Sequence, residues 1–217
     1  MNFPVFDLHC DTSLALIGKD LKSNTSLRKN DFHIDLERAS KLPGYCQCFA
    51  CFTTPGMQEW YGVSPMTVFE REMDTMMHQL GLNSDLIRQA FTAADVRKNQ
   101  EEGKMSAILT IEGPAGFDFD PELLQDLYAV GFRISSLGWN EQNVLTGSHK
   151  TGGGLTDLGK EYVKEAQRLG ICLLIKTSGI YADTARLRTM LESFASDWLG
   201  ALWDMHHPYR DFDESAD

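Results

Sequence analysis

Two short stretches of the chain carry residue types that bind metals in hydrolases. His9 and Asp11 flank Cys10 near the start, and Glu112 lies in the segment TIEGPAG. If residues 9 and 11 share a strand, its alternation points both side chains to one face, where an imidazole and a carboxylate suit Zn²⁺. A glutamate with two oxygens can serve as a third ligand and bridge two ions. The alternatives are that the H-x-D triplet has no role and that Glu112 only caps the following turn.

These residues lie in a chain whose apolar segments alternate between strand and helix patterns. Strands are predicted at 4–10, 45–54, 106–113, 132–139, 171–179 and 199–207, and helices at 65–82, 92–103, 121–131, 156–170 and 183–194. This alternation predicts an α/β fold with a parallel sheet, whose functional site lies at the carboxyl ends of the strands. The candidate side chains collect at those ends, namely His9, Asp11, Glu112, Trp139, Asn140, Lys176, Asp204 and His207.

Composition narrows the classes of function. The net charge of −11 over 217 residues argues against a nucleic-acid binder, which needs lysine and arginine to contact phosphates. The start has no basic region followed by an apolar run, and no segment approaches about 18 apolar residues, so neither a signal peptide nor a membrane span is predicted. The five cysteines are predicted to be reduced thiols of a cytoplasmic protein. Cys46, Cys48 and Cys51 could form a structural zinc site, but they are expected to be buried strand thiols, because alternation sends the third to the opposite face and no second Cys or His pair follows at zinc-finger spacing.

Several ordered motifs over residues 4–172 resemble the membrane (renal) dipeptidase family. They are FDLHCDTSLAL, HIDLERASKLPGYCQCFACF, ILTIEG, VGFRISSLGWNEQN and GLTDLGKEYVKEAQRLGI. The resemblance implies a (βα)8 TIM-type barrel, two zinc ions and hydrolysis of dipeptides, including dipeptides with a C-terminal D-residue. It implies that His9 and Asp11 bind one zinc and that Glu112 bridges both. Trp139 and Asn140 occupy the place where some members carry a substrate-contacting His-Asn pair, and are therefore the candidate substrate-binding residues.

The family pattern breaks after Gly170. Lys176 stands where the family has a ligand histidine, and the family's later catalytic aspartate has no counterpart in this chain. Residues of about 174–210 instead resemble the sugar-phosphate isomerase/epimerase family, whose barrel is of the xylose-isomerase type. That resemblance implies metal binding by Asp204 and His207 on a strand. Without it, a helix-capping aspartate and a surface histidine are expected. Lys176 is expected to be exposed or salt-bridged rather than a catalytic amine.

Three functions follow from these resemblances for a single domain over 1–217, with a possible hybrid junction near 170–174. The first is a zinc-dependent dipeptidase-like hydrolase with impaired activity. The second is a non-catalytic chimeric or truncated barrel fragment, and the third is a sugar isomerase-like metal enzyme. The sequence contains about six βα units, and a closed barrel needs eight. The two sheet edges left open by six units predict a homodimer that pairs those edges, or else a poorly soluble, molten chain.

Overall fold

The computed structural model describes residues 4–148, 151–176, 179–194, 196–204 and 206–214. Its strands are β1 Phe6–Cys10, β2 Cys46–Phe52, β3 Ile87–Gln89, β4 Met105–Glu112, β5 Phe132–Ser135, β6 Thr146–Ser148, β7 Gly152–Leu155, β8 Cys172–Lys176 and β9 Leu199–Leu202. Its α-helices are α1 Thr12–Ile17, α2 Leu36–Ala39, α3 Met57–Tyr61, α4 Pro65–Leu82, α5 Ala93–Glu101, α6 Leu124–Val130, α7 Asp157–Leu169, α8 Thr184–Phe194 and α9 His206–Phe212. Short 3₁₀ helices span Pro114–Phe117, Pro121–Leu123 and Gly179–Ala182.

The main sheet is parallel throughout and curls into a half-barrel. Six strands follow one another in the order β1-β2-β4-β5-β8-β9, and β3 pairs with the first part of β4. The predicted incomplete TIM-type fold is therefore confirmed. All six strands run in the same direction, so their carboxyl ends meet at one edge of the sheet.

Helices cover one face of this sheet and form the core with it. On α4, the apolar stripe buries Val68, Phe69, Met76 and Leu80, and Ser64 caps the first turn by accepting a hydrogen bond from the Thr67 backbone. The helix α7 is attached to β5 by a buried hydrogen bond of 2.8 Å between the hydroxyls of Tyr162 and Ser135. These contacts fix the strands that end at the candidate site.

Several predicted boundaries were wrong. The fourth strand ends at Ser135 rather than at 139, and the sixth ends at Leu202 rather than at 207 because α9 begins at His206. Of the fifth strand, β8 ends at Lys176, and residues 177 and 178 lie outside the described residues. The prediction also missed the three-residue strand β3, the antiparallel hairpin of β6 and β7, and the short helices α1, α2, α3 and α9. All of these elements are too short to produce a readable periodicity.

The three clustered cysteines lie on β2, and Cys46, Cys48 and Cys51 are all buried free thiols, as expected. None of them belongs to a group of potential metal ligands in the described ranges. In the same ranges, no helix combines the length and the apolar character that crossing a bilayer requires.

Candidate metal centre

A register irregularity in β1 determines where His9 points. Asp7 lies opposite Gln47, but Cys10 lies opposite Phe49, so β1 has one extra residue between these pairs. Registered partners in parallel strands project to the same face, and Phe52 is the partner of Glu112. The bulge therefore places His9 on the face that carries Glu112, whereas a regular register would have turned it away.

His9, Asp11 and Glu112 converge at the carboxyl ends of β1 and β4. The His9 Nε2 atom lies 3.4 Å from an oxygen of Asp11 and 3.4 Å from an oxygen of Glu112. One ligand atom from each residue falls within 4.8 Å of the other two. The predicted proximity is present, although Asp11 follows the end of β1 and is not part of its alternation.

This donor set fits one divalent cation. Donor atoms around a tetrahedral zinc ion at about 2.1 Å lie about 3.4 Å from one another, which matches both distances from His9. An imidazole nitrogen with two carboxylates is also the mixed N/O set that zinc accepts. Within the described ranges, no second group of three His, Cys, Asp or Glu donors is found.

The three groups influence one another's protonation. A hydrogen bond to Asp11 raises the pKa of His9, and the same interaction lowers the pKa of Asp11. Burial raises the pKa of Glu112, against the opposing charge of His9. A metal ion needs a neutral imidazole and ionised carboxylates as ligands, so metal binding at these three residues competes with protons.

Cys10 lies between two of these residues but is not a candidate nucleophile. Burial raises the pKa of its thiol to about 12. Because the thiolate is the nucleophilic form, this cysteine is unreactive near neutral pH.

Thr53 fixes the backbone beside Glu112. Its N–H donates to the Glu112 carbonyl oxygen at 2.9 Å, and its hydroxyl donates to the Gly113 carbonyl oxygen at 2.5 Å. The same hydroxyl accepts a bond of 2.8 Å from the Gly116 N–H. These bonds tie the end of β2 to the end of β4 and to the backbone that follows it, next to Glu112.

Three aromatic rings form a cluster beside the three ligand-type residues. Phe52 contacts Trp139 with ring centroids 5.3 Å apart, and Trp60 lies 6.4 Å from Phe52 and 6.3 Å from Trp139. Both tryptophans are about half exposed, whereas Phe52 is buried. The structure thus brings the sequence-predicted Trp139 to the same end of the sheet as Glu112, and Asn140 follows it in the chain. Sequence reasoning missed Phe52 and Trp60, because nothing in their spacing relates them to residue 139.

Asp204 and His207 adopt the arrangement of a helix cap. The Asp204 carboxylate accepts a bond of 2.9 Å from the His206 N–H, at the start of α9, and lies 2.7 Å from the His207 ring. Lys176 forms an ion pair of 3.5 Å with the same carboxylate and is half exposed, as expected for that lysine. The prediction that a strand carries Asp204 and His207 was wrong, since the chain turns into a helix there. Their predicted metal binding stays a prediction, and they are not part of the three-residue group.

A buried acid near the site was also missed. Glu72 lies on the buried face of α4, and burial raises the pKa of its carboxyl well above the ordinary value. The negative charges of Asp11 and Glu112 add to that rise. Its position between Phe69 and Met76 on the apolar stripe was the available sequence signal.

Comparison with known proteins identifies the relatives of the chain. The model of the membrane dipeptidase family, peptidase family M19, matches residues 1–188. A Klebsiella pneumoniae protein named "Uncharacterized protein in pqqA 5'region" is 27% identical over 113 residues, which are 48% of this chain and 42% of that protein.

Two similar solved structures share the fold. One is a metallo peptidase from Rhodobacter sphaeroides liganded with a phosphinate mimic of the dipeptide L-Ala-D-Ala, with a TM-score of 0.67, 23% identity, and coverage of 86% of this chain and 63% of that one. The other is dipeptidase AC, a metallo peptidase of family M19, with a TM-score of 0.63, 23% identity, and coverage of 86% and 61%. The chain therefore spans less than two thirds of the length of each of these relatives.

Proposed function

Since the chain belongs to the membrane dipeptidase family, peptidase family M19, we propose that it is a zinc-dependent, dipeptidase-like hydrolase. The observation that carries this proposal is the convergence of His9, Asp11 and Glu112 within 4.8 Å at the carboxyl ends of the strands. The position of the site, the types of its donor atoms and the family of the chain all support this proposal. A zinc ion is the ligand proposed here because one imidazole and two carboxylates suit it.

Each residue of the proposed site has a defined task. Neutral His9 offers Nε2 to the ion, and its backbone N–H donates to Asp7 at 3.1 Å, which helps to fix the end of β1. The carboxylates of Asp11 and Glu112 balance the ion's charge. When bound, zinc supplies a polarised carbonyl and a water of lowered pKa. Trp139 and Asn140 are proposed to contact the dipeptide beside this point.

We propose that turnover is low. Lys176 lies at the same edge of the sheet, where its charge acts on His9, Asp11 and Glu112. An ammonium group disfavours a further cation at this place. The same observation favours the second candidate function, a folded, metal-binding and non-catalytic barrel fragment. The hybrid origin stays a prediction, and the family match extends past the predicted junction to residue 188.

Three further properties belong to the proposal. The substrate is a dipeptide, by family membership. The protein forms a homodimer, because β1 and β9 each pair on one side only within the described chain. The location is cytoplasmic, which the five free thiols support, since a reducing compartment keeps cysteines unpaired.

The test combines metal content with hydrolysis. We expect the purified protein to retain zinc by elemental analysis, and His9→Ala to lose it. His78→Ala is the matched control, because His78 is exposed on α4 and outside the three-residue group. Unchanged zinc content in His9→Ala would refute the site. A dipeptide assay then separates the two candidates: turnover below the usual range of about 1 to 10³ per second supports an impaired hydrolase, and none supports the non-catalytic fragment.

A further inference from the structure

Lys176 occupies a defined place relative to the proposed metal ligands. Its strand is in register with β5, which is in register with β4, through the pairs Ile134–Cys172 and Thr110–Ile134. Side chains two residues apart in a strand share a face. Lys176 on β8 therefore projects to the same face as Glu112 on β4, and both residues end their strands.

The charged groups around the proposed metal ligands limit how much positive charge the site can hold. His9, Asp11 and Glu112 supply two carboxylates, so one divalent ion already balances their charge, and no second group of three potential ligands occurs among the residues that the structure describes. The ammonium of Lys176 acts electrostatically on all three of these residues. Asp204, at 3.5 Å, is a carboxylate partner of the lysine, and it also accepts from the start of α9. A second dication would therefore add positive charge beside Lys176, where the nearby carboxylate of Asp204 is already paired with the lysine and with the start of α9.

We propose that Lys176 is a built-in cation that restricts this site to a single divalent ion and weakens the binding of that ion. The inference rests on the proposed function, because it requires the ion held by His9, Asp11 and Glu112. It differs from the two-zinc arrangement that the family resemblance implied. Lys176 acts only through its positive charge, and it touches neither the ion nor the substrate.

A charge series at residue 176 tests the proposal. Wild type, Lys176→Gln and Lys176→Glu are titrated with zinc against a chromophoric chelator, and bound zinc is counted by elemental analysis. We expect one ion in the wild type. We expect about tenfold tighter binding in Lys176→Gln and still tighter binding in Lys176→Glu, because Coulomb repulsion is removed and then reversed. Lys164→Gln, an exposed lysine on α7, is the control and leaves the affinity unchanged.

Salt separates a charge effect from a structural one. In 1 M salt the Debye length falls to about 3 Å, so the differences within the series should shrink, whereas a change in folding would persist. Two zinc ions in the wild type, or equal affinities across the series at low salt, would overturn the inference while leaving the proposed function intact. Absence of any bound zinc in the wild type would refute the proposed function itself, and this inference with it.

Discussion

At the scale of single residues, the candidate metal centre consists of three side chains whose positions depend on the bulge in β1 and on the backbone around Gly113. His9, Asp11 and Glu112 stand out because their types and their positions at strand ends are visible in the sequence. The bulge that turns His9 toward Glu112 leaves no sequence pattern, since it depends on how β1 pairs with β2. The contact between Trp60 and Trp139 was equally hidden, because it joins the helix α3 to the loop that follows β5.

Gly113 follows Glu112 directly and has a backbone conformation that favours glycine. Its φ is +80°, and a Cβ there would lie 2.1 Å from the Thr53 carbonyl oxygen. We expect Gly113→Ala to lower the free energy of unfolding by about 3 kcal/mol or more, through backbone strain and that clash. Urea denaturation measures it.

The matched control for this substitution is Gly103→Ala. Gly103 also has a positive φ of +70°, but a Cβ there would meet nothing within 4 Å. Its cost should be only about 1 kcal/mol, the price of the left-handed backbone alone. Equal losses of stability at the two positions would show that the contact with Thr53 does not constrain the end of β4.

At the scale of elements, long periodic segments were predicted well and short ones were not. The helix predicted at 65–82 is α4 with the same bounds, because its cap and apolar stripe extend over several turns. By contrast, β3 has only three residues and was not predicted. The predicted extension of the last strand to residue 207 was wrong, because Asp204 caps a helix instead. The apolar pattern of 199–207 did not distinguish a strand from a strand followed by a helix.

Glu72 on α4 makes the free energy of unfolding of the protein dependent on pH. Burial raises the folded-state pKa of this carboxyl above its ordinary value of 4.5, so the folded protein holds a proton that the unfolded chain releases. The contribution of Glu72 to the free energy of unfolding is therefore fully present below about pH 4.5. It declines as the pH rises, by up to about 1.4 kcal/mol per pH unit. We expect Glu72→Gln to remove this part of the decline between about pH 4.5 and pH 6, measured by denaturation with a chelator present.

The control on the same helix is Glu70→Gln, because Glu70 is exposed. This variant should keep the wild-type slope. If Glu72→Gln and Glu70→Gln show the same dependence on pH, the Glu72 carboxyl is not held protonated by burial, and the account of α4 is incorrect.

At the scale of the whole molecule, the half-barrel leaves two sheet edges and an inner face that is partly exposed. Within the described chain, β1 pairs only with β2 and β9 only with β8. Phe6 on β1 is 52% exposed, and Ile108 and Leu174 are only half-buried. Unpaired strand edges promote association with another chain. The alternation of elements predicted this architecture, but it could not show how the edges are covered.

We expect the protein to be a homodimer at low micromolar concentration, as measured by light scattering. Phe6→Lys should weaken the dimer, because a charged side chain on an edge strand opposes pairing. Leu82→Lys is the control, since Leu82 is equally apolar and 63% exposed but lies at the end of α4. A compact, monodisperse wild-type monomer would contradict pairing through these edges.

Anomalous diffraction at the zinc edge would show whether His9, Asp11 and Glu112 bind a divalent cation. Crystals grown with zinc should show one strong peak about 2.0 to 2.2 Å from Nε2 of His9 and from an oxygen of each carboxylate. No second peak is expected beside Lys176. A peak on Asp204 and His207, with none at His9, would contradict the account and would favour the isomerase-like site instead.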